Sequence, residues 1–276
     1  MKMCPHEHYD PRCTGRAAAA AAEGAAPVGL SCPLRGLCAA GNRFRAAPGP
    51  IPRAAGGVEI AEREDRRLKR LLDDAELPEG KTLATLELER YPSPMRAQIK
   101  ELCTGRFTDE DDPLNIYLAG KPGTGKSHIG AAIGRGCVEQ GIPVLYTPVS
   151  ALVESLLKAK RDLHLADELK RLDRFDCLIC DDIGYVKQDS AQMEVLFSLI
   201  AERYERKSLV ITSNLRFSEW DQIFKDPMMT AAAVDRVTHH SATLWFDGPS
   251  YRADKAEERA KAARQKSSRG DRKVKE

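Results

Sequence analysis

The sequence predicts an α/β fold, a doubly wound parallel sheet of five strands with helices on both faces. Three observations predict it. From Asn115 onward, short apolar runs alternate with helix-period stretches, the pattern of strand and crossover-helix units. A glycine-rich stretch, Gly-Lys-Pro-Gly-Thr-Gly-Lys-Ser at 120–127, lies between one such run and a helical segment. Two acids, Asp181 and Asp182, close a later run, where a strand would present them at the carboxyl edge of the sheet.

In chain order, residues 1–57 are rich in Ala, Gly and Pro without helical or strand periodicity, and read as a disordered leader. Cys4, His6, His8, Cys13, Cys32 and Cys38 lie there at spacings that match no usual paired zinc-ligand pattern. Residues 58–112 read as an N-terminal helical extension. Its first part, 58–75, is a basic amphipathic helix with Leu68, Leu71 and Leu72 on one face among Arg66, Arg67, Lys69 and Arg70. Such a face serves packing on the main domain, contact with a DNA backbone, or contact with a neighbouring subunit. Leu77-Pro78-Glu79-Gly80 ends the helix, and a mixed stretch runs to Asp112-Pro113.

Residues 113–252 carry the sheet, with strands expected at Ile116–Ala119, Val144–Thr147, Cys177–Asp181, Leu209–Ser213 and Thr243–Phe246. The clearest helix between them spans Ala191–Arg206, where Met193, Leu196, Phe197 and Ile200 recur at spacings of three and four. Residues 253–276 lack an apolar stripe and read as a charged, basic, frayed tail.

Composition narrows the function. A net charge of +2 with 30% charged residues does not mark the whole chain as a nucleic-acid binder, so any basic surface is local. No run is long enough for a membrane span, and the alanine run at 17–22 is too short and weakly hydrophobic for a signal core. A cytoplasmic protein with no membrane partner is expected. Cysteines within helices and strands fit a reducing compartment. Cys177 and Cys180 have redox-motif spacing, but in a strand they face opposite sides and read as buried core.

The strongest chemical signal is the phosphate-binding loop formed by Gly120, Lys121, Pro122, Gly123, Thr124, Gly125, Lys126 and Ser127, with His128 opening the following helix to Cys137. Glycines let backbone amides turn toward phosphates, and the helix N-terminus adds a favourable dipole. Lys126 would reach terminal phosphates and Ser127 a Mg2+ ion. Magnesium prefers carboxylate and water oxygens, so Asp181 is expected to hold the ion and Asp182 to orient or deprotonate an attacking water. Asn214, directly after the fourth strand, would hold that water or the terminal phosphate, or serve as a turn residue.

In order and spacing, GKPGTGKSHIGAAIG (120–134), CDDIGY (180–185), LFSLIAERYERKSLVITSN (196–214), FSEW (217–220), AAAVDRVTHHS (231–241) and SYR (250–252) resemble the AAA+ P-loop ATPases of the IstB and DnaC branch, IstB-like insertion-sequence helpers above all. The resemblance implies that ATP and Mg2+ are the ligands, that Lys126 and Ser127 form the Walker A pair, and that Asp181 and Asp182 form the Walker B pair. It makes Asn214 the first sensor, Arg252 a second-sensor candidate, and Arg236 an arginine finger acting on ATP held by an adjacent subunit of a ring or spiral. Without the resemblance, Arg236 reads as a helix-surface ion pair with Asp235 or a nearby acid. His239 and His240, adjacent on a helix, would point in different directions and read as packing or capping residues rather than a metal pair.

Two departures stand out. The family commonly has Glu where this chain has Asp182, and the shorter carboxylate would slow hydrolysis; the leader does not resemble the family's N-terminal region. The resemblance implies an ATP-dependent helper of DNA transposition whose partners are duplex DNA, an IstA-like transposase and further copies of itself. A DnaC-like replicative helicase loader is the alternative within the branch. A small-molecule kinase lacks an arginine-rich acceptor lid in this sequence, and a scaffold that binds ATP without turnover is the reading that Asp182 motivates.

Overall fold

Each of the five expected apolar runs is a strand: β1 (Asn115–Gly120), β2 (Val144–Pro148), β3 (Cys177–Asp181), β4 (Ser208–Ser213) and β5 (Ser241–Phe246). They form one sheet in the order β2-β3-β4-β1-β5, and every neighbouring pair is parallel. The computed structural model describes residues 53–185 and 189–261. Residues 1–52 of the leader expected over 1–57, with its cysteines and histidines, and the tail beyond 261 lie outside the described residues.

Strand alternation divides the core in two. Ile116, Leu118, Cys177, Ile179 and Val210 face one layer, while Tyr117, Ala119, Leu178, Cys180, Leu209 and Ile211 face the other. Both faces are covered by helices, which is why the strands read as continuous apolar runs. Cys177 and Cys180 are buried on opposite faces, and burial pushes both thiols well up, to about 12 for Cys180.

The first layer is covered by α1 (Arg53–Asp74), α2 (Ser93–Leu102) and α3 (Lys126–Glu139). Helix α1 begins before residue 58, within the stretch expected to be leader. Leu71 and Leu72 pack on this layer, and the Tyr146 amide donates to the Ala75 carbonyl at 2.9 Å, pinning the exit of α1 to β2. Arg66 and Arg70 stay exposed, and Arg67 donates to the Gly141 carbonyl at 3.2 Å.

The second layer is covered by α4 (Val149–Arg161), α5 (Leu165–Leu172), α6 (Ser190–Arg203), α7 (Asp221–Phe224) and α8 (Pro227–Thr238). Helix α6 starts with a capping box in which the Asp189 carboxylate accepts from Gln192 and the Gln192 side chain accepts in return. Residues 251–261, expected as frayed tail from 253, instead form a helix, α9. Tertiary contacts outweigh the missing apolar stripe: Arg90 pairs with Asp254, and Lys255 lies 3.7 Å from Glu87.

Candidate active site

The glycine-rich loop leaves β1 at Gly120 and becomes α3 at Lys126. Gly120 has φ +143°, and a Cβ there would collide with the Phe246 carbonyl of β5. Gly125, with φ +96°, is the N-cap of α3, and a Cβ would strike the Tyr91 hydroxyl. The loop is braced on that side: Tyr91 donates to the Thr124 carbonyl at 2.9 Å, and the His128 ring sits 3.0 Å from the Thr82 carbonyl and 3.2 Å from the Thr85 hydroxyl. Lys126 is 8% exposed and donates to the carbonyls of Gly120 and Lys121 at 2.7 and 2.8 Å. Burial lowers its pKa, against the pull of Asp182 and Asp181.

The carboxyl ends of β1, β4 and β3 stand side by side, so the fold brings the acids to the loop. Asp181 accepts from Tyr146 on β2 at 2.5 Å and from the Thr212 hydroxyl on β4 at 2.6 Å. Thr212 in turn accepts from the Asp182 amide at 2.8 Å. Asp182 adopts φ +68°, a left-handed conformation that aims its side chain at the cavity holding Lys126. Burial raises the Asp182 pKa first and Asp181 second, while Lys126 and Arg252 oppose them.

That cavity, about 570 Å³, is lined by Lys81, Pro122, Gly123, Gly125, Lys126, Ser127, His128, Asp182, Tyr251 and Arg252. The structure thus gathers most of the expected phosphate-site residues, Arg252 included; Lys121 and Pro122 are the exposed tip of the loop and Thr124 is buried beneath it. Asp181 sits behind Asp182. Asn214 is half-buried against Gly184, where a Cβ would meet its Oδ1, and that buried oxygen has no hydrogen-bond partner among the described residues. Arg236 is not part of the cavity. It lies on α8, over the Phe197 ring at 5.0 Å, and donates to the Ala232 carbonyl at 3.0 Å.

Sequence reasoning missed a second, apolar cavity of about 330 Å³ that shares Gly125, His128 and Tyr251 with the first. Tyr91 and Met95 line it from the N-terminal extension, Phe246 and Trp245 from β5, and Tyr251 from α9. The Tyr251 amide donates to the Gly123 carbonyl at 2.9 Å, so α9 closes on the loop directly. The signal available was the pair of aromatics, Tyr91 and Tyr251, in segments otherwise dominated by charge.

A polar, cation-bearing cavity joined to an apolar one at a helix N-terminus accommodates a ligand with polyphosphate and flat apolar parts. Comparison with known proteins agrees. Residues 57–260 match the family of IstB-like ATP binding proteins. An insertion-sequence protein of Sinorhizobium fredii, ATP-binding by name, is 45% identical over 72% of this chain and 67% of its own length. The ATP-binding protein of insertion sequence IS21 from Pseudomonas aeruginosa is 36% identical over 69% and 71%. The fold resembles AMPPCP-bound DnaA from Aquifex aeolicus (TM-score 0.51, 17% identity, 62% of this chain and 51% of that one) and DnaI (0.51, 19%, 63% and 94%). No described helix is long and apolar enough to cross a membrane.

Proposed function

The chain belongs to the IstB-like ATP-binding protein family, and we propose that within it the protein hydrolyses ATP as a helper of DNA transposition, assembling on duplex DNA and stimulating a partner transposase. The observation that carries this reading is the split between a cavity holding Lys126, Ser127, Asp182 and Arg252 and an Arg236 that stands outside it. Such a site is completed by a second copy.

In this mechanism the amides of Gly123–Ser127 hold the phosphates, and Lys126 leaves the carbonyls of Gly120 and Lys121 for the terminal phosphate oxygens. The apolar cavity takes the base, with Tyr91 and Met95 against its face. Ser127 and Asp181 are hard oxygen donors suited to Mg2+, which when bound supplies charge neutralisation on the phosphates. Tyr146 and Thr212 fix the Asp181 carboxylate in place. Asp182 takes or orients the proton of the attacking water, and its raised pKa suits a base. Asn214 Oδ1, buried against Gly184 with no hydrogen-bond partner among the described residues, could accept from that water only after a local shift that opens it to the cavity. Arg236 from the adjacent copy offsets charge developing in transfer. The exposed arginines of α1 offer a phosphate-directed contact to duplex DNA.

The test is phosphate release together with retention of duplex DNA at low salt. The expected result is ATP hydrolysis that Lys126→Ala abolishes, with DNA retained only in the presence of nucleotide. Turnover no higher than that of Lys126→Ala would leave a nucleotide-binding scaffold, and co-purification with a helicase rather than a transposase would move the partner to replication.

A further inference from the structure

The edge of the sheet opposite the phosphate loop carries a cluster that the nucleotide reading does not use. Strands β4, β1 and β5 are neighbours, and the segments leading into them bring Glu205, Asp112 and the pair His239 and His240 together. Adjacent residues on a helix diverge, which is why the two histidines read from sequence as unable to share an ion. Helix α8 ends at Thr238, however, so His240 lies beyond it, and the ring centroids of His239 and His240 are 4.3 Å apart.

We infer that His239, His240 and Glu205 form a surface binding site for a divalent transition-metal ion of the Zn2+ class. The His239 Nδ1 and His240 Nε2 lie 3.3 and 3.9 Å from the same Glu205 carboxylate oxygen, and the ligand atoms of the three residues are all within 4.8 Å of one another. Metal bonds of about 2.0–2.1 Å in a tetrahedron place ligand atoms about 3.3 Å apart, so small side-chain adjustments close the set. Two imidazoles and one carboxylate select zinc, nickel or copper over magnesium or calcium, and water completes the coordination at this half-exposed position.

The surroundings favour a cation. The C-terminal carbonyls of α8 point toward His239, where the helix dipole is negative. Asp112 lies 3.9 Å from His240 Nδ1, the nitrogen on the far side from the proposed ion, in the position of an orienting carboxylate. Tyr204 shares a 2.9 Å hydrogen bond with His239 Nδ1 and would release it on metal binding. The platform is rigid: the buried Asn115 joins both lead-ins, its amide and Nδ2 donating to the carbonyls of His240 and Val237 at 2.8 and 3.3 Å and its Oδ1 accepting from Leu209 at 3.0 Å.

The test uses the full chain without a polyhistidine tag, titrated with Zn2+ against a chromogenic chelator under reducing conditions. Wild type is expected to bind one more Zn2+ per chain than the His239→Ala/His240→Ala double variant. Glu205→Gln, a change at an exposed position, should weaken that extra ion at least about tenfold. Saturating Zn2+ should raise the Tm of wild type more than that of the double variant. Cobalt substitution separates this ion from any held by the leader cysteines, because the wild-type minus variant spectrum should lack thiolate charge-transfer bands. Equal Zn2+ stoichiometry in wild type and the double variant, an extra ion held by Glu205→Gln as tightly as by wild type in competition with the chelator, or a thiolate signature in the difference spectrum would overturn the inference.

Discussion

Asp182 combines two costs at one position. Its φ of +68° is a conformation that Asp tolerates better than most residues but that still strains the backbone, and its carboxyl pKa is raised by burial and by Asp181. The folded chain therefore holds this proton to higher pH than the unfolded chain, whose value is about 3.9, so stability is lost as pH rises from there through the raised folded value. Asp182→Asn removes that loss, and Asn is at home in the left-handed region. The variant should melt higher than wild type at neutral pH, with the gap narrowing as pH falls below about 4 to a residue set by the backbone alone. Melting curves across that range read both parts. Turnover should fall in the same variant, while Asp182→Glu, which restores the missing methylene, should raise phosphate release above wild type. The sequence placed this acid at a strand end; its positive φ, and the bond from its amide to Thr212, are not written in any local pattern.

At the scale of elements, the strands were legible because the inner ones are buried on two faces and even the edge strand β5 keeps Leu244 and Phe246 in the core, and their expected ends differ from the observed ones by no more than two residues. What local pattern does not carry is the joining of distant segments. The apolar cavity unites Tyr91 and Met95 with Phe246 and Tyr251, and nothing in either stretch announces the other. The same holds for His239, His240 and Glu205. The Phe217 to Trp220 motif shows how tertiary packing fixes a site from behind. Trp220 is fully buried, its indole donates to the Tyr117 hydroxyl at 3.0 Å, and Tyr117 donates to the Leu215 carbonyl at 2.7 Å, next to Asn214. Trp220→Ala should cost about 3–5 kcal/mol, measured as a lowered denaturation midpoint. Met95→Ala should weaken ATP, ADP and adenosine alike, since it removes an apolar wall, whereas Arg252→Ala should weaken ATP far more than adenosine. Calorimetric titration of the three ligands separates the two cavities.

At the scale of the whole molecule, the position of Arg236 poses the question of whether the proposed site is shared between copies. Within one copy it lies over Phe197, outside the cavity that holds Lys126 and Asp182. If the neighbouring copy supplies this guanidinium, Lys126→Ala and Arg236→Ala are each inactive for different reasons, one at its own site and the other at the next. A head-to-tail assembly mixed in equal parts then contains about a quarter of junctions in which an intact Lys126 meets an intact Arg236. Phosphate release should reappear on mixing at up to about that fraction of wild type. An Arg236 acting within its own copy gives no recovery, because each chain in the mixture then lacks one half of its own site. The measurement also separates a catalytic arginine from a packing one. Loss of the Phe197 contact alone would leave Arg236→Ala folded and partly active, with no dependence on its neighbours, and mixing would yield only the average of the two variants.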